Sequence, residues 1–244
     1  KEAYEKYLAE AEKKKEPKEE SNPTIITPAN IPHPEAYIIL EARTHGYYSY
    51  QDTLVEMERS HQGKNWYHAE EVLHQEQAHM LTIRQYVDSL NILRSGKAYD
   101  GNGTKIPQQK LNHILDDILT VRSPWRSEWL DADFKVKKKE FYILHTHRIV
   151  KGKGEPQYSE PLDPDTLMEN KTPGISLEEW LKSATSQGLP VKNTPKGDLY
   201  YWSPAEGTVA RFVAVSDVAY LSCCGDPQSS YSGLGVRRAK IKKK

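Results

Sequence analysis

Phe212-Val-Ala-Val-Ser-Asp-Val-Ala-Tyr-Leu-Ser-Cys-Cys-Gly225 is the stretch that decides how the chain is read. Phe212, Ala214 and Ser216 alternate with Val213 and Val215, and successive side chains of a β-strand point to opposite faces. After Asp217 the alternation resumes one residue out of step. Ala219, Leu221 and Cys223 fall on one side, and Val218, Tyr220, Ser222 and Cys224 on the other. A slip of one residue reverses every side chain, and a bulge or tight turn at Ser216-Asp217 brings the second set back to a common surface. The pattern predicts two short strands presenting Val213, Val215, Val218, Tyr220, Ser222 and Cys224, followed by Gly225, Ser229 and Tyr231, to solvent.

The composition changes over the same stretch. From Phe212 to Ser232 only Asp217 and Asp226 are charged, where the chain-wide 28% would give about six. Tyrosine offers a large contact area with little rotamer entropy, and serine and glycine adapt their hydrogen bonding, which is the chemistry of an antibody paratope. The competing reading is an ordinary edge strand and loop.

Working outward, Gly197 to Trp202, Thr208 to Val215, Val218 to Cys224 and Leu234 to Ile241 are strand candidates. Phe134 to Val136 and Phe141 to Val150 read as an antiparallel hairpin across Lys137-Lys-Lys139, and Gly152 to Pro173 as loop. Ala36 to Leu40 is apolar and β-prone, weakening to Thr44, with Gly46 closing it. Helical spacing is read at Tyr50 to His61 and Trp66 to Gln77. Thr82-Ile-Arg-Gln85 and Ser176-Leu-Glu-Glu179 have the form of capping boxes, opening helices that Gly96 and Gly188 stop. Pro107 introduces a further helix, with Leu111, Ile114, Leu115 and Ile118 on one face and Pro124 ending it. Helices precede the main run of strands, so the class is α+β with a mainly antiparallel sheet.

Three stretches resemble the variable proteins of diversity-generating retroelements, whose C-type-lectin-like fold is shared with formylglycine-generating enzymes. Ser232-Gly-Leu-Gly-Val-Arg237 is similar to that family's closing strand, which follows its diversified region. Met80-Leu-Thr-Ile-Arg-Gln-Tyr86 and Ser176-Leu-Glu-Glu-Trp180 resemble its Leu-Pro-Thr-x-x-Glu-Trp helix opening. The resemblance implies a C-type-lectin-like domain over 31–244, with added helices and an insertion near 107–129. Residues 1–30 form a charged segment, a tail or solvated helix.

In that family adenine randomisation turns Asn codons into NNY codons, which never encode Lys, Glu, Gln, Met or Trp. The nine residues named above all comply, while Gln228 breaks the rule and falls outside the diversified set. The implied function is recognition of a macromolecule, a protein in particular, at a site displayed on a virion or cell surface. The ligand's identity, the oligomeric state and the compartment stay open.

Other functions draw less support. Lys+Arg and Asp+Glu are both 34, so there is no overall basic field for nucleic acid. No run approaches the roughly 20 apolar residues of a membrane span, and the Lys/Glu-rich start has no signal-peptide core. Membrane insertion is therefore not expected. Cys223 and Cys224 are adjacent, which strains a disulfide and does not supply the two spaced cysteines of a formylglycine-generating enzyme. No catalytic residue is assigned.

Glu71-x-x-His74 and Glu76-x-x-His79 have the spacing of di-iron ligands, but on one helix they point to different sides and read as solvated polar faces. His145-Thr-His147 has the i,i+2 spacing of a strand chelate, though a polar outer face is the simpler reading. Asp100-Gly-Asn-Gly-Thr104 lacks the later ligands of an EF-hand and reads as a turn. No metal or cofactor is expected. The basic end from Arg237 reads as a solvated edge or tail, and Trp125, Trp129, Trp180 and Trp202 as packing anchors.

Overall fold

Lys138 and Lys139 both adopt left-handed backbone conformations, with φ of 51° and 71°. Two successive positive φ values make the tight turn whose twist suits a two-residue hairpin. It joins β5 (Arg126–Lys137) to β6 (Glu140–Val150), the longest strands of the computed structural model, which describes residues 31–150, 153–166 and 168–242.

Around this hairpin a sheet forms in the order β7-β6-β5-β10-β11-β9-β8. The added strands are β7 (Lys153–Pro161), β8 (Lys171–Ile175), β9 (Leu199–Trp202), β10 (Thr208–Ala214) and β11 (Ala219–Gly225). Pairing is antiparallel except between β11 and β9 and between β5 and the short β12 (Leu234–Gly235). A second sheet joins β1 (Tyr37–Leu40), β4 (Thr53–Glu56) and β13 (Ala239–Ile241), so early and late strands meet. β2 (Arg43–His45) and β3 (Tyr48–Tyr50) form a hairpin turned at Gly46, whose φ is +58°. With four α-helices among the described residues, the fold is mixed α+β with mostly antiparallel sheets.

The helices cover the main sheet unequally. α2 (Ile83–Ser95), α3 (Gln108–Leu119) and α4 (Leu177–Ser183) place Tyr86, Leu90, Ile114 and Trp180 in the core with Leu130, Phe134, Phe212 and Leu221. α1 (Trp66–Gln75) contributes Trp66 and Leu73 to a second cluster with Trp129, Val209, Leu234 and Val236. Thr82 opens α2 with a complete capping box: its hydroxyl accepts from Gln85 N at 3.2 Å, and Gln85 Oε1 accepts from Thr82 N at 3.1 Å. Ser176 accepts from Glu179 N at the start of α4, and Gly96 ends α2 with φ of +68°.

The closing segment is tied down by charge. Glu128, fully buried on β5, accepts from Arg126 and from Arg237, the latter at 2.7 Å. Burial would push its carboxyl up, but the two guanidinium groups outweigh that and hold it down at about 2. Arg237 also donates to the carbonyls of Glu56 and Met57, and Arg238 pairs with Glu56 at 2.6 Å and Glu76 at 2.7 Å. The expectation of a solvated basic end is thus corrected at Arg237, which staples the second sheet to the first, and at Arg238, which ties β4 to the end of the helix Trp66–Gln75.

Other expectations are also corrected. Tyr50 to His61 is not helical: Thr53, Leu54 and Val55 lie in β4 between β1 and β13. A strand buried on both faces loses its alternation, and a short apolar run then passes for a helix turn. Within the stretch read as loop, Lys153–Pro161 and Lys171–Ile175 are strands, and as β7 and β8 they form the two edges of the main sheet. Edge strands tolerate the proline and polar residues that suggested a loop. β5 begins at Arg126 rather than Phe134, so only α3 is helical between 107 and 129, and Pro107 caps it. α4 ends at Ser183; Gly188 instead allows close approach to α2, since a Cβ there would lie 2.5 Å from Arg84 N. The first 30 residues lie outside the described residues.

Candidate ligand-binding surface

β10 and β11 form one hairpin whose turn is closed by Val215 N donating to Val218 O at 3.0 Å. The tight turn at Ser216-Asp217 accounts for the change of phase in the sequence. Register pairs Phe212 with Leu221 and Ala214 with Ala219, and places Cys223 on their side. These inner side chains join the core under α2, and Phe212 packs against Tyr86 with ring centroids 5.5 Å apart.

The outer side carries Arg211 opposite Ser222 and Val213 opposite Tyr220, then Val215 and Val218. Cys224 lies on the same side, its sulfur 3.6 Å from the Ser222 hydroxyl. Six of the nine residues singled out from sequence therefore share one face. Of these, Cys224 is exposed and Val215, Val218 and Tyr220 are half-buried. Burial pushes the Tyr220 phenol up, against the opposing influence of Arg211. Val213 and Ser222 are only 1% and 2% exposed, which corrects the expectation that they face solvent. Both strands are interior to the sheet, flanked by β5 and β9, so neither has a free edge open to solvent.

Gly225 is also corrected as a solvent-facing position. A Cβ there would stand 2.9 Å from Val209 O and 3.4 Å from both Arg211 Nε and Trp129. Its lack of a side chain is what lets Arg211 lie over the Trp129 ring, 5.7 Å from the centroid. Ser229 and Tyr231 belong to the loop that follows β11. Asp226 caps this loop by accepting from Gln228 N at 2.9 Å, and Pro227 O accepts from Trp66 N at 3.0 Å. Tyr231 is 62% exposed and meets Trp125 edge-on, with centroids 6.0 Å apart.

Sequence reasoning missed part of this surface. Parallel pairing of β9 with β11 places Tyr200 beside Tyr220 and Trp202 beside Ser222. Tyr200, Trp202 and Trp125 are half-buried, whereas Trp129 and Trp180 are core anchors as expected. The pairing of β9 with β11 is a long-range fact with no local signal. Arg211 did carry a signal: it continues the period of two from Val215 and Val213 by one step.

The remaining polar constellations are internal. α1 ends at Gln75, so Glu76 and His79 do not share its turns with Glu71 and His74. Glu76 instead pairs with His61 and Arg238, and burial pushes His79 down to about 4. His145 and His147 are buried, correcting the polar outer face expected of them. Thr146 between them has φ of +56°, which interrupts the strand geometry; His145 meets Glu160 at 3.1 Å and His147 meets Asp131. Glu70, on the buried side of α1, has a buried carboxyl oxygen with no partner; burial first, and Asp131 second, push its pKa up. Cys223 is enclosed and burial pushes its thiol up, opposite to the shift a nucleophile needs. Among the described residues no group of three or more His, Cys, Asp or Glu side chains is placed to hold a metal ion, and no helix is long and apolar enough to cross a membrane.

Comparison with protein-family models, curated proteins and solved structures finds no match to this chain.

Proposed function

We propose that this chain is a binding protein of C-type-lectin-like fold, related to the variable proteins of diversity-generating retroelements, and that the outer side of β10 and β11 takes a protein ligand. The observation that carries the proposal is the separation of roles within one hairpin. Phe212, Leu221 and Cys223 hold the core, while Val215, Val218, Tyr220 and Cys224 reach the outer surface. Such a surface can change its side chains without disturbing the packing that holds the strands. The fold assignment is supported by the helices opened at Thr82 and Ser176, and by the closing segment Leu234 to Arg237 held against both sheets.

Of the nine residues named from sequence, Val215, Val218, Tyr220, Cys224, Ser229 and Tyr231 are accessible. Trp125 and Trp202 lie outside the NNY codon set and form a constant aromatic border. A library with NNY codons at these six positions, displayed on yeast, tests the reading. Most clones should fold, and selection against a test protein such as lysozyme should return binders. Widespread loss of folding would instead favour an interaction module with a fixed face, a reading that the burial of Val213, Ser222 and Gly225 supports.

A further inference from the structure

We propose, resting on the binding role above, that Arg211 is the specificity-determining residue of the outer face and takes an acidic side chain of the protein ligand. Seven arginines among the described residues are buried or half-buried, and six donate to a carboxylate or a carbonyl: Arg59, Arg84, Arg122, Arg126, Arg237 and Arg238. Arg211 is the exception. Its Nε is buried without a hydrogen-bond partner, as are those of Arg84, Arg126 and Arg237, but unlike them it has no carboxylate among the described residues within 4 Å of its guanidinium.

The side chain is nevertheless held. It lies over Trp129, whose indole donates to Lys64 O at 3.0 Å, and it fills the space that Gly225 leaves open. A guanidinium fixed on an aromatic face retains a planar fork of donors that matches a carboxylate. It is the one cation in the outer row of β10 and β11, so it suits a single negative charge. Tyr220, beside it, and Tyr200 and Trp202 on β9 supply aromatic area for the ligand's neighbouring residues.

The test uses the purified full chain and a displayed library of random twelve-residue peptides. Enriched peptides should share Asp or Glu at one position. Replacing that residue by Asn or Gln should weaken Kd at least tenfold, as should Arg211→Gln, and the two changes together should cost little more than either alone. The peptide substitution leaves the protein untouched, so a folding defect in the variant cannot account for the result.

If Tyr220→Ala weakens binding while Arg211→Gln leaves Kd within twofold, the role of Arg211 is overturned and the binding face stands. Peptides whose binding ignores both residues, or no enrichment at all, overturn both. Stronger competition by inorganic phosphate than by acetate would assign the site to a phosphoryl group and overturn the carboxylate assignment.

Discussion

Truncating adjacent residues of β11 should produce opposite phenotypes, because Leu221 points inward and Tyr220 outward. Leu221 is fully buried against the core, so Leu221→Ala removes three carbons and leaves a cavity. Such changes cost about 2–5 kcal/mol. In a domain of this size each kcal/mol lowers Tm by roughly 2–4 °C, so a loss near 10 °C is expected. Tyr220 is half-buried, opposite Val213 and beside Tyr200, and its removal opens no enclosed cavity. Its truncation should cost about 1 kcal/mol or less, a shift of only a few degrees. Binding should reverse the order, since aromatic anchors dominate truncation scans. Thermal melts by circular dichroism, paired with the affinity of a selected peptide, read both effects. The reasoning fails if Tyr220→Ala lowers Tm as far as Leu221→Ala, or if it leaves affinity unchanged.

Further outcomes follow from the charged and capping groups. Glu128→Gln leaves Arg126 and Arg237 without their carboxylate and should cost about 3–5 kcal/mol in urea unfolding. In the wild type, Glu128 is held at about 2, below its unfolded value, so its stabilisation is complete above about pH 4.3 and is lost as pH falls towards 2. That loss amounts to about 3 kcal/mol and should be missing from the acid titration of Glu128→Gln. Glu70 has the opposite sign: its raised folded value means that stability falls as pH rises above the ordinary carboxylate range. Glu70→Gln should therefore match the wild type near pH 4 and become the more stable protein as pH rises, as read by Tm. Thr82→Ala removes the capping acceptor of α2 and should cost about 1 kcal/mol, measured by the same unfolding.

Local chemistry made much of this molecule legible. The Thr82 box, Gly96, the lysine turn at 138–139 and the phase change at Ser216-Asp217 each depend on a few neighbouring residues, and each is found where its pattern occurs. What failed depends on distant partners. Thr53 to Glu56 becomes a strand because β1 and β13 bracket it, and Lys153 to Pro161 because β6 offers an edge. Arg237 looked like part of a charged tail because its partner Glu128 lies more than a hundred residues away. The same limit applies to the candidate surface. Alternation sorted the faces of β10 and β11, but it could not report that Val213 and Ser222 are buried in the interior of the sheet, or that Tyr200 and Trp202 stand beside the face on β9.

The central claim is that the outer side of this hairpin is a diversified binding surface, and the coding locus tests it most directly. Sequencing should reveal a near-identical repeat of the segment encoding Phe212 to Arg237, beside a reverse transcriptase gene. The two copies should differ only where the repeat has adenine, with the substituted codons falling at outer and loop positions such as Val215, Val218, Tyr220, Cys224 and Tyr231. Absence of the repeat, or differences that fall equally on Phe212, Leu221 and Cys223, would contradict the account and leave an interaction domain with a fixed face.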